Sequence, residues 1–255
     1  MNQQVILDNV TCLLKEELSD SVIGIYLHGS MAMGCYNPTQ SDIDILVIIR
    51  EKQPIDIYKK IARKLINIED KMNLIKGFEL SIVMEAFADK FIYPTPFEFH
   101  YSSFHKEKYR TDENYFCGGY EDPDLAAHFV ITYNRGIVLF GEQIKDVIKP
   151  IDKRYYIESI KSDIEDALEG ITDNPIYFVL NLSRVLLYLK ESVISSKKEA
   201  GEWALNLVPT EYKGVIAKCL AKYNNEVEYL NLSKITLLNY ATYMLKEIEE
   251  ITIQE

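Results

Sequence analysis

Two aspartates, Asp42 and Asp44, stand at the head of the apolar run Ile45-Leu46-Val47-Ile48-Ile49, and the pair Gly29-Ser30 precedes them by a short excursion. The apolar run reads as a strand. Strand side chains alternate faces, so the two carboxylates point the same way. Carboxylates held side by side repel unless a cation sits between them. Hard divalent ions take oxygen ligands of this kind and keep room for substrate phosphates. A Gly-Ser turn beside them offers backbone N–H groups and a hydroxyl to phosphate oxygens. The chemistry implied is metal-assisted transfer from a nucleotide.

The elements that must hold these groups are legible as periodicities. Val22 to Leu27 reads as a strand running into His28-Gly29-Ser30, and Gly34, Asn37 and Pro38 mark a loop before the strand Ile43 to Ile49. Phe78 to Met84 alternates, with Glu79 and Ser81 on the polar side and Phe78, Leu80 and Ile82 on the apolar side. Helical spacing covers about Gln3 to Leu18 and Tyr58 to Asn73, with Gly77 as a break, and Tyr93 to Pro96 reads as a turn or extended link. Leu125 to Leu139 reads as a buried helix, or a helix leading into a strand, ending near Gly141. The composition changes near Lys149-Pro150. Beyond it, one helix is expected over Asp152 to Leu168, and another starts at Asp173-Asn174-Pro175. Further helices are expected over Lys197 to Leu207, Thr210 to Tyr223 and, from an N-cap at Ser233, to about Ile251. The fold class is α+β. A mixed sheet-and-helix domain is expected over residues 1–150 and an all-helical domain over 151–255, meeting in a cleft.

The totals narrow the class of molecule. With 47% hydrophobic and 26% charged residues, the 255-residue chain has the composition of a soluble globular protein. No apolar run is long enough to cross a bilayer, and the first residues lack a basic, signal-like region. Cys12, Cys35, Cys117 and Cys219 lie far apart without paired spacing, which argues against a zinc site and a disulfide framework and for a reducing, cytoplasmic setting. The four histidines show no metal-ligand spacing. Lys and Arg total 28 against 39 Asp and Glu, a net charge of −11, and no long basic run appears. Such a surface is poorly suited to a nucleic-acid backbone and better suited to a small cationic partner. A monomer is expected.

The Gly29-Ser30 to Asp42-x-Asp44 pattern resembles the nucleotidyltransferase superfamily that includes DNA polymerase beta. The likeness extends further, to the aminoglycoside adenylyltransferases that modify streptomycin and spectinomycin. It rests on His28-Gly29-Ser30, Ser41 to Val47, Phe78 to Val83, Tyr93-Pro94, Asp124-Leu125-Ala126, Leu180 to Arg184, Lys197, Glu202-Trp203-Ala204 and Leu207-Val208-Pro209. The resemblance implies a polymerase-beta-like domain followed by a helical domain, with ATP as co-substrate and an antibiotic hydroxyl as acceptor. It implies that Asp42 and Asp44 hold Mg2+, that Gly29, Ser30 and Ser41 assist phosphate or metal binding, and that Glu79 is the base that takes the acceptor's proton. A carboxylate on that strand face has neighbours of like charge, which raise its basicity. Asp124 matches another site-lining acid. Arg184, Lys197 and Tyr223 match nucleotide-contacting positions of the helical domain. Trp203, the single tryptophan, reads as core.

In the members that accept streptomycin, an additional Trp and acidic residues precede the helix matched here by Tyr177 to Leu189. This chain has Asp166, Glu169 and Asp173 in that stretch but no Trp, which favours spectinomycin over streptomycin. Two alternatives stay open on the residues alone. One is a transferase of the same fold acting on another small molecule, a protein or a tRNA end. The other is a regulatory nucleotide-binding module, against which the trio Asp42, Asp44 and Glu79 argues, because a binder needs no base.

Overall fold

Strands whose two faces are both covered need apolar residues at nearly every position, and the centre of the first unit is built from two of these. The computed structural model describes residues 2–254 and divides into two units, Met1–Tyr155 and Tyr156–Glu255. In chain order the first unit contains α1 (Gln3–Leu18), β1 (Val22–Leu27), α2 (Gly29–Ala32), β2 (Ile43–Ile49), α3 (Ile55–Met72), β3 (Phe78–Met84) and α4 (Glu85–Asp89). It continues with β4 (Thr95–Phe97), β5 (Phe99–Tyr101), α5 (Ser103–Thr111), β6 (Tyr120–Asp122), α6 (Leu125–Arg135), β7 (Ile137–Gly141) and α7 (Ile144–Val147).

The main sheet has the order β5-β3-β2-β1-β7, and β4 and β6 form a separate pair. Only β2 and β3 run parallel; the other neighbours in the main sheet are antiparallel. The sheet is therefore mixed. On one face, Ile25, Leu27, Ile43, Ile45, Val47, Leu80 and Ile82 pack against buried residues of α1 and α3. On the other, Tyr26, Leu46, Ile48 and Val83 pack against Leu125, Phe129, Ile144 and Val147 of α6 and α7. Each fully buried aliphatic side chain contributes roughly 1.5–3 kcal/mol, and a one-residue slip of β2 would exchange its two packed faces and turn Asp44 into the core against α1 and α3. Along β2 every residue except Asp44 is buried, and at the start of β3 Glu79 is the half-buried exception.

The second unit is helical. It contains α8 (Lys153–Ser162), which spans the division, then α9 (Ala167–Gly170), α10 (Pro175–Glu191), α11 (Lys197–Leu207), α12 (Thr210–Tyr223) and α13 (Lys234–Gln254). Helix α10 is central and packs on α11, α12 and α13. Pro175 occupies its first turn, where its missing N–H costs nothing. No helix among the described residues is long and apolar enough to cross a membrane.

Two expectations need correction. The single helix over Asp152 to Leu168 is two pieces, because the chain between α8 and α9 passes through i→i+3 turns. The N–H of Ile164 donates to Lys161 O and that of Ala167 to Ile164 O. The Ser162 hydroxyl also bonds the Ser159 carbonyl at 2.7 Å, competing with the helical ladder. Trp203 is half-buried rather than core, its indole N–H donating to Glu191 Oε1 at 2.6 Å. Short β4, β5 and β6 and the polar helix α5 carry too little periodicity to be read from sequence; α5 buries only Tyr109.

Candidate active site

The parallel register of β2 and β3 sets Asp44 directly beside Glu79 and Leu46 beside Ser81. Asp42 lies two residues before Asp44 along the same segment. One ligand oxygen from each of Asp42, Asp44 and Glu79 falls within 4.8 Å of the others. The approach of the first strand is equally close. The His28 N–H donates to the Asp44 carbonyl at 3.0 Å, extending the β1–β2 ladder. Gly29 follows with φ +62°, and a Cβ built there would lie 1.9 Å from Asp44 Oδ2. Only glycine accepts both the left-handed backbone and that proximity. The Ser30 hydroxyl is buried and has no hydrogen-bond partner among the described residues. Ser41 is buried in the loop, where its Oγ accepts the Asn37 N–H at 3.3 Å.

The electrostatics follow from crowding. Burial, with the charges of Asp42 and Asp124 and a hydrogen bond to Asp42, pushes Glu79 up to about 7 against the opposing charge of His128. Two carboxyls that bond one another share a proton. The donor set of three clustered carboxylates, with a high proton affinity and an orphaned hydroxyl nearby, fits a hard divalent cation. That cation would replace the shared proton.

Periodicity did not reveal the histidines around this cluster. His128 follows Asp124 by one helical turn on α6, and its Nε2 meets Asp124 Oδ2 at 3.3 Å. Burial opposes its protonation, but the hydrogen bond and charge of Asp124, then the charges of Glu79 and Asp44, raise its pKa above the ordinary range. A buried imidazolium thus partly balances the acids. Its ring lies 4.9 Å from that of His28, centroid to centroid. Burial, then His128, depresses His28 well below the ordinary range; it is neutral, and its Nε2 has no partner among the described residues. His100 is depressed to about 4, by burial first, and its Nδ1 meets Ser81 Oγ at 3.0 Å. The Asp124-x-x-x-His128 spacing was the available signal, since residues four apart on a helix face each other.

The strand carrying Glu79 is anchored at its start. Glu69 of α3 is buried, and its Oε1 accepts the Phe78 N–H at 2.8 Å. Its Oε2 accepts the Tyr101 hydroxyl at 2.9 Å and pairs with Lys106 at 2.9 Å.

The remaining residues singled out from sequence belong to the second unit. Arg184 of α10 is ion-paired with Asp163. Lys197, at the start of α11, lies over the Tyr177 ring, 4.8 Å from its centroid. Tyr223, at the end of α12, is buried. Arg184 and Lys197 are thus linked by one network, and Tyr223 stands on another helix.

A mixed sheet with a carboxylate trio at the heads of two adjacent strands and a Gly-Ser turn packed against it defines a nucleotidyltransferase. The model of the nucleotidyltransferase domain matches residues 11–113, and that of the aminoglycoside adenylyltransferase C-terminal domain matches residues 146–247. A spectinomycin 9-adenylyltransferase of Staphylococcus aureus is 25% identical over 223 residues, covering 85% of this chain and 83% of the relative. One from Campylobacter jejuni is 23% identical, covering 98% and 96%. An aminoglycoside (3'') (9) adenylyltransferase of Klebsiella pneumoniae is 20% identical, covering 96% and 94%. The crystal structure of a spectinomycin adenyltransferase from Enterococcus, solved with ATP and spectinomycin, superposes with a TM-score of 0.82 at 21% identity, over 97% of this chain and all of that one; this is a likeness of fold. The two models match successive parts of the chain, and the relatives that align along nearly its whole length are aminoglycoside adenylyltransferases.

Proposed function

We propose that this enzyme transfers AMP from ATP to a hydroxyl of spectinomycin, in a magnesium-dependent reaction that confers resistance, and that it prefers spectinomycin to streptomycin. The observation that carries the reaction is the close group of Asp42, Asp44 and Glu79, with Glu79 at about 7. The relatives named above support the acceptor. The absence of Trp between Asp166 and Pro175 favours spectinomycin over streptomycin.

Asp42 and Asp44 would hold Mg2+, which when bound neutralises phosphate charge and polarises the phosphorus under attack. Glu79 accepts the proton of the acceptor hydroxyl. The freed oxygen attacks the α-phosphorus, a new P–O bond forms, and the bond to pyrophosphate breaks in line. A base near 7 is matched to this work, because about half of it is ionised at neutral pH while it is still basic enough to hold the proton. The Gly29-Ser30 turn lets backbone and hydroxyl approach the phosphates, and the orphaned Ser30 Oγ is suited to them. His128, paired with Asp124, keeps the acid cluster from accumulating unbalanced charge. Arg184, Lys197 and Tyr223 are read as nucleotide-contacting residues of the second unit, with the two cations suited to phosphate oxygens. Positioning and charge neutralisation supply most of the acceleration.

The test is pyrophosphate release from ATP and magnesium, with spectinomycin and streptomycin supplied separately and Glu79→Gln as control. Spectinomycin-dependent release that disappears in the variant, while ATP still binds, is expected. Equal release with streptomycin would remove the stated preference. Undiminished turnover by Glu79→Gln would remove the base assignment.

A further inference from the structure

The second unit contains a side-chain network whose members come from three segments. Arg184 is nearly buried, with 12% of its side chain exposed, and a terminal nitrogen donates to Asp163 Oδ2. The other oxygen of that carboxylate, Oδ1, accepts the Tyr177 hydroxyl at 3.1 Å. The face of the same Tyr177 ring carries the Lys197 ammonium at 4.8 Å from its centroid. Tyr177 and Arg184 are two turns apart on α10, so they share a face. Asp163 sits where α8 gives way to the turns before α9, and Lys197 opens α11. Behind Lys197, Ser196 and Glu199 form a capping box that fixes the start of α11. Asn181, between Tyr177 and Arg184 on that side of α10, is fully buried, and its amide has no partner among the described residues.

The ion pair engages one terminal nitrogen of the Arg184 guanidinium. This carboxylate does more, because it is gripped from its second oxygen by the residue that carries the other cation. Its position therefore sets the direction of Arg184 directly and that of Lys197 through Tyr177. Fixing a long side chain before a ligand arrives removes part of the ordering cost of binding. A planar guanidinium rewards this most, because its fork must be aligned with phosphate oxygens to donate in parallel. The unpartnered Asn181 amide on the same side marks that face as one that a polar species completes.

We propose that Asp163 and Tyr177 are positioning residues that hold Arg184 and Lys197 as a preformed ligand pair for the phosphates of the nucleotide. The proposal rests on the reading of Arg184 and Lys197 as nucleotide-contacting residues.

The experiment measures affinity of the full chain for a non-hydrolysable ATP analogue in magnesium by calorimetry, with thermal melts to confirm folding. The variants are Arg184→Gln, Asp163→Asn, Tyr177→Phe and the double variant Asp163→Asn/Arg184→Gln. Arg184→Gln should weaken binding at least tenfold. Asp163→Asn should weaken it about tenfold, while adding less than twofold in the Arg184→Gln background, because Arg184 is its direct partner and Lys197 is reached only by way of the Tyr177 ring, which the substitution leaves in place. Tyr177→Phe keeps the ring under Lys197 and deletes only the hydroxyl. It should cost about threefold, and it carries the test if Asp163→Asn does not fold, unchanged binding by Tyr177→Phe then overturning the proposal. Unchanged or tighter binding by Asp163→Asn, or losses that simply multiply in the double variant, would overturn the proposal while leaving the nucleotide-contact reading intact. Unchanged binding by Arg184→Gln would instead overturn that reading, and the proposal with it.

Discussion

Replacing Gly29 by alanine tests whether the Gly-Ser turn matters because of its approach to Asp44. The added methyl would start 1.9 Å from Asp44 Oδ2 and 2.4 Å from its Cγ. Ordinary contact begins near 3.4 Å, so the carboxylate or the turn must retreat by about 1.5 Å, the difference between those separations. The turn cannot retreat easily. The His28 N–H is bonded to the Asp44 carbonyl at 3.0 Å, and the Gly29 carbonyl accepts from Met33 at 3.1 Å. The carboxylate must therefore swing away. A reacting or ligating group misplaced by about 1 Å costs roughly a hundredfold in rate, which is about 2.7 kcal/mol of transition-state stabilisation. The left-handed backbone at φ +62° adds a cost to the fold of roughly 1–2 kcal/mol for a residue with a Cβ. In pyrophosphate-release assays, kcat/KM should fall by about two orders of magnitude. The magnesium concentration for half-maximal rate should rise, and the melting temperature should drop by a few degrees. A folded Gly29→Ala enzyme with unaltered kcat/KM and unaltered magnesium dependence would refute the argument that Asp44 is placed by this contact.

Two other outcomes follow from the same geometry. Glu79 is raised from an ordinary 4.5 to about 7, chiefly by burial, so its contribution favours the fold at acid pH, where it is protonated. That contribution is complete below about 4.5 and is lost as pH climbs through about 7; its ceiling is roughly 3 kcal/mol before the discount for solvent screening. The metal-free protein should lose melting temperature between pH 6 and pH 8, and the gain on adding magnesium should be larger at pH 8; a larger gain at pH 6 would contradict the shared-proton account. Glu69→Ala should destabilise the first unit by about 2–4 kcal/mol, because it leaves the Phe78 N–H and the Tyr101 hydroxyl without their partner around a buried gap and leaves Lys106 paired with Asp70 alone. Scanning calorimetry should show a fall on the order of 10 °C in that unit's transition, and an unchanged transition would show that the Glu69 network does not hold the start of β3.

The sequence by itself determined the central strands and most of the helices, because their apolar spacing is a local property. Val22–Leu27, Ile43–Ile49 and Phe78–Met84 alternate or run apolar as burial on one or both faces demands. The same alternation put Asp42 with Asp44 and placed Glu79 on the polar side of its strand. What periodicity could not supply was the pairing between elements. The parallel register that sets Asp44 beside Glu79 depends on which strands become neighbours, and α3 between them is what permits a parallel crossover. The proximity of Gly29 to Asp44 and of His128 to the carboxylates arises only when the turn after β1 meets β2 and the helix α6 packs on the sheet face that carries Tyr26 and Leu46. The break between α8 and α9 was hidden for a related reason. The apolar period continues through it, while the hydroxyl of Ser162 and the carboxylate of Asp163 turn to partners that the local pattern does not contain. Hydrophobic spacing is written along the chain, whereas charge pairing and close backbone approach are decided between segments far apart in it, and only the tertiary structure brings those segments together.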